Sequence, residues 1–158
     1  MNKKLWILLS IVLLGLVALG YVWLKPNPLE REYNSVVYSY DTGVVGSIPI
    51  KLKGERYRSL LGKKSFVGEL TADNDLNYKI VLKENDQQYF GTIVTFDAMN
   101  AIHTLGTVMA SKKLDKVWLK LEAINQKYQL QDGYISGPTN SLEEAEQIAR
   151  EVLSGDGV

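Results

Sequence analysis

The chain of 158 residues contains no cysteine. That absence excludes disulfide staples, thiolate catalysis, cysteine-based zinc sites and a lipid anchor built on cysteine. Histidine is nearly absent too, since His103 stands alone. A zinc centre around it would have to be completed from carboxylates, with Asp97 the candidate close in sequence. No GxSxG elbow surrounds Ser111 or Ser136, and no two acids are singled out by spacing for hydrolytic work. Asp73, Asn74 and Asp75 lack the further acids and the closing glutamate of a calcium loop, so they read as a tight turn between strands. No catalytic residue, metal or cofactor is expected. Nor is there an excess of charge of one sign: 18 basic residues balance 18 acidic ones. A nucleic-acid partner, which calls for clustered lysine and arginine, is excluded on that ground.

What the chain does have is an apolar run. Leu5 to Leu24 reads LWILLSIVLLGLVALGYVWL without a charged side chain, long enough as a helix to cross the roughly 30 Å hydrocarbon layer of a bilayer. Lys3 and Lys4, counted with the free amino terminus, outweigh Lys25 and the more distant Arg31, which places the N-terminus in the cytoplasm. Residues 1–24 are therefore expected to form a cytoplasmic head and transmembrane anchor, and the protein to be a single-pass membrane protein of a bacterial cell envelope. The alternative is a cleaved signal peptide, with Ala18 and Gly20 as the small residues of the cut, and secretion of the remainder.

Pro26 and Pro28 mark residues 25–32 as a short spacer, and residues 33–158 are enough for one extracytoplasmic domain. From Tyr33 onward, short runs rich in Val, Ile, Tyr, Phe and Thr alternate with Gly, Asn and Asp, a strand-and-turn pattern. The run VVGSIPIKLKG directs Ile48, Ile50 and Leu52 to one face, and Pro49 suggests an edge strand or a bulge. DKVWLKLE directs Val117, Leu119 and Leu121 inward and Trp118 outward, either as an exposed binding anchor or beneath the terminal helix or another loop. NQKYQLQ and YIS flank Asp132-Gly133 as a further hairpin. In the terminal segment, Ser141 and Glu144 have capping-box spacing, and Leu142, Ala145, Ile148, Ala149 and Val152 form one apolar stripe of a helix. The expected fold is an N-terminal transmembrane helix followed by a β-rich α+β domain, mainly an antiparallel meander or partly closed barrel, with the C-terminal helix packed on the sheet.

Basic residues gather in KLKGERYRSLLGKK, where Lys51, Lys53, Arg56, Arg58, Lys63 and Lys64 accompany Tyr57. Arg56, Tyr57 and Arg58, with the outward-facing Trp118, are the candidate partner-binding residues, because aromatics and arginines concentrate contact energy. The functional expectation is a non-enzymatic, membrane-anchored extracytoplasmic module that binds an envelope or secreted protein, as an accessory subunit or a protective toxin inhibitor. The alternatives are a lipid or small-ligand binding domain, or a hydrolase built from dispersed polar residues. No feature of the sequence sets an oligomeric state.

Overall fold

The computed structural model describes residues 3–155, apart from the side chains of residues 3–5, 7 and 8. Eight strands, β1 (Asn27–Ser39), β2 (Gly43–Arg58), β3 (Lys64–Ala72), β4 (Leu76–Asn85), β5 (Gln88–Phe96), β6 (Ile102–Ser111), β7 (Val117–Leu121) and β8 (Tyr134–Gly137), follow one another as a closed antiparallel barrel. Closure rests on a short seam in which Val36, Val37 and Tyr38 of β1 face Ser136, Ile135 and Tyr134 of β8.

Strand alternation sorts the side chains. Ile50, Leu52, Phe66, Leu70, Leu82, Val108, Leu119 and Ile135 point inward and are fully buried, each contributing on the order of 1.5–3 kcal/mol by leaving water. Lys53, Glu69, Lys79 and Lys83 point outward and are exposed. A packed apolar interior with a charged wall is the reverse of a membrane-spanning barrel, whose outer band is apolar.

One outer face of the wall is not left to water. Helix α3 (Leu142–Ser154) lays Ala145, Ile148, Ala149 and Val152 over it, against Met109 and Trp118 on one side and Val36 and Tyr38 on the other. The Ser141 hydroxyl accepts from the Glu144 N–H at 3.3 Å, satisfying one of the free donors at the helix start. A second helix, α2 (Glu122–Tyr128), buries Ile124 in the barrel core.

Several expectations are corrected here. Among the described residues, no helix is long and apolar enough to cross a membrane. Helix α1 covers Lys3–Leu24, but the expected anchor begins partly outside the described side chains. The lack of a spanning helix among the described residues overturns the transmembrane helix of the fold class, the single-pass topology, the membrane partner through Leu5 to Leu24 and the localisation derived from them.

The segment NQKYQLQ is not a strand. Its first residues complete α2, because β7 ends at Leu121 and Ile124 turns into the core, while the Asn125 side chain accepts from Gly133 N–H at 2.9 Å and orders the connection to β8. Residues 27–32 belong to β1. Pro28 is tolerated there because that half of β1 pairs with β2 alone, leaving its other side without a ladder for a missing N–H to interrupt. For the same reason Pro49 fits in β2, a strand paired on both sides: the ladder to β3 stops at Ile50.

Candidate functional site

The inward row of β2 changes character along its length. Ile48, Ile50 and Leu52 are buried, Gly54 follows, and Arg56 and Arg58 continue the same face toward the end of the barrel. Neighbouring strands do likewise. Phe66 gives way to Lys64 on β3, Leu82 to Glu84 on β4, and Tyr89 of β5 stands opposite Glu84. Apolar rows thus end in a charged rim beneath the turns that join β2 to β3, β4 to β5 and β6 to β7.

Two open clefts of about 400 Å³ each flank this rim. Both contain Lys63, Lys64 and Glu84; one adds Tyr57, Arg58, Ser59, Ser65 and Lys83, the other Leu61, Gly62, Asn85, Asp86 and Lys112. Glu84 is the hinge between them: its carboxylate accepts from the Lys64 N–H at 3.0 Å and lies 3.4 Å from the same residue's Nζ. The guanidinium of Arg58 lies 4.5 Å from the centre of the Trp23 ring, a cation–π arrangement that holds the arginine at the cleft wall.

Beneath the rim lies an unsatisfied polar group. Tyr89 is fully buried and its hydroxyl has no hydrogen-bond partner among the described residues, which costs about 1–3 kcal/mol of desolvation. Burial raises its pKa, as does Glu84, whereas Arg56 and Arg58 act in the opposite sense. The phenol therefore lies within electrostatic reach of the same charged groups that form the rim.

Of the four residues singled out from sequence, three meet here. Arg56 and Arg58 share the inward face of β2, while Tyr57 alternates outward yet lines one cleft beside Arg58, its hydroxyl donating to Glu55 at 2.5 Å. Trp118 is elsewhere, stacked on Tyr134 at 5.5 Å between ring centroids and covered by α3. At 9% exposure it is no surface anchor. The membrane-anchored protein-binding module expected from sequence is corrected accordingly, having lost both its anchor and the exposure of its tryptophan. Lys83, Glu84, Tyr89 and Lys112 escaped the sequence reading because only the register between distant strands brings them to the same rim as Arg58.

The other residues weighed for chemistry line neither of these clefts. Among the described residues no group of three or more His, Cys, Asp or Glu side chains is placed to hold a metal. His103 Nε2 lies 3.0 Å from Asp97, whose second oxygen accepts from the N–H groups of Met99 and Ala101 at 2.8 and 2.9 Å. Ser136 Oγ meets the Tyr38 hydroxyl at 3.2 Å, and Ser111 Oγ accepts from the N–H groups of Asp115 and Lys116, both at 3.1 Å.

The Asp97 contacts carry a pH dependence. The hydrogen bond with His103, followed by those from Ala101 and Met99, holds the Asp97 carboxyl below its ordinary pKa. The order they give to the β5–β6 turn is fully present above the usual carboxylate range and is lost as pH falls through the lowered value. Asp97→Asn should speed hydrogen exchange at Met99 and Ala101 near neutral pH while leaving β7 amides unchanged. Equal exchange in both proteins would show that the carboxylate does not order the turn.

No protein-family model, characterised protein or solved structure matches this chain.

Proposed function

We propose that the protein is a non-enzymatic barrel that binds a small ligand at its charged end. The observation that carries this reading is the change of the inward rows from apolar to charged at that end, next to a buried phenol without a hydrogen-bond partner among the described residues. Arg56 and Arg58 continue the core-facing row of β2 as half-buried cations at the open end, where a ligand group of opposite charge can reach them. Twenty buried side chains occupy the interior as one cluster, so the ligand belongs in the open clefts rather than in a lumen that would take a long lipid chain.

The test is a fragment screen by NMR on the labelled full chain, using neutral, cationic and anionic fragments in equal number. Hits should shift amide signals of residues 57–65, 83–87 and 112 as one group. Trp23 emission should change with them, because its ring touches Arg58. Hits confined to α1 or to the β5–β6 turn would overturn the assignment of the site.

A further inference from the structure

We infer that the ligand presents a compact oxyanion, a phosphate or carboxylate group, to the cleft formed by Arg58, Lys63 and Lys83. The inference rests on the reading of this end as a ligand site and names the chemistry it selects. Four cations and a single carboxylate line that cleft, in a chain whose formal charge is zero. The carboxylate is already engaged. Glu84 accepts from the backbone and faces the ammonium of Lys64, with only 12% of its side chain exposed. That pairing compensates Lys64 and leaves Arg58, Lys63 and Lys83 without an anionic partner among the described residues.

Elsewhere on the barrel the arrangement is different. Lys51 lies 2.8 Å from Glu30, and Lys116, Lys120 and Lys127 each pair with a carboxylate contributed by another element. Other cations, Arg31, Lys79 and Lys113 among them, also lack an ion pair among the described residues, but Arg58, Lys63 and Lys83 share the lining of one cleft. Like charges brought together repel, and an anion seated among them converts that repulsion into attraction. The chemistry of the wall also fits an oxyanion. Arg58 lies against the Trp23 ring, and a guanidinium presents N–H groups able to fork onto two oxygens. Ser59 and Ser65 add neutral hydroxyl donors to the lining.

The experiment titrates the full chain at low salt with four probes: inorganic phosphate, hexyl phosphate, hexanoate and hexanol, read by amide shifts at residues 57–65 and 83–84. The anionic probes are expected to bind and hexanol to fail. Lys83→Glu should weaken hexyl phosphate by about tenfold, whereas Lys79→Glu, on the same outward face of β4 but outside the cleft, should change it by less than about twofold. Circular dichroism confirms that both variants fold. Equal affinity for inorganic and hexyl phosphate identifies a free oxyanion as the source; tighter binding of hexyl phosphate identifies the headgroup of an amphiphile. Both results support the inference. If hexanol matches hexyl phosphate at the same signals, the site survives and its selectivity for anions is overturned. If none of the four moves these signals, the site itself falls with it.

Discussion

Ile148→Asp is expected to lower the stability of the protein by at least about 3 kcal/mol, because a carboxylate without a partner would enter an apolar contact. Ile148 is 6% exposed and packs with Met109, Trp118, Ala149 and Val152. Its loss acts on more than one helix. Without α3, the outward side chains of β1, β6 and β7 that it covers would face water, and a helix of 13 residues has little stability of its own. The melting temperature should fall by roughly 6–12 °C, and the fluorescence of Trp118 should shift to the red as its cover loosens. Leu153 supplies the control, since it lies on the same helix and is 44% exposed; Leu153→Asp should leave the melting temperature within about 2 °C. An unchanged melting temperature for Ile148→Asp would mean that α3 does not dock as described.

A comparable loss is expected from Gly68→Ala, one methyl group in size. Gly68 and Gly54 face each other across β2 and β3. A Cβ built on Gly68 would fall 2.3 Å from the Lys53 carbonyl oxygen and 2.7 Å from the Gly54 Cα. Both obstacles are backbone, so no side chain can swing aside. The two strands must separate or the ladder must shift, at a cost of about 3 kcal/mol or more. Gly20→Ala is the contrasting case, because nothing lies within 4 Å of the added methyl. Denaturant titration should show a lowered midpoint for Gly68→Ala alone; equal midpoints would remove the steric argument.

The parts of this fold that were legible in sequence are those decided locally. Ser141 and Glu144 marked the start of α3 because a cap is a matter of three residues. The alternation through Ile48, Ile50 and Leu52 marked the inward face of β2 because side chains on a strand alternate whatever its neighbours are. The same alternation correctly turned Trp118 outward, but its covering by α3 depends on the docking of a helix some 30 residues away in a chain of 158. The sequence reads residues 125–131 as a strand of a hairpin, and burial of the adjacent Ile124 decides for α2 over residues 125–128 instead. Apolar composition in α1 pointed to an anchor, a conclusion the described residues do not support.

The candidate site was legible in half. Arg56, Tyr57, Arg58, Lys63 and Lys64 are close in sequence, and their charge drew notice without a structure. Lys83 and Tyr89 join them through the pairing of β3 with β4 and of β4 with β5. No local pattern encodes that a lysine on one hairpin will stand beside an arginine on another.

The short seam between β1 and β8 has a consequence for how the chain is made. Tyr38 and its hydrogen-bond partner Ser136 are 98 residues apart, and synthesis at about 5–20 residues per second separates their appearance by roughly 5–20 s. During that interval β1 and β2 can already pair, yet the Val36–Tyr38 edge has no strand to receive it. A nascent chain therefore carries an open, apolar sheet edge until Tyr134, Ile135 and Ser136 emerge, and anything that stalls the ribosome before Tyr134 lengthens the time in which that edge can pair with another chain.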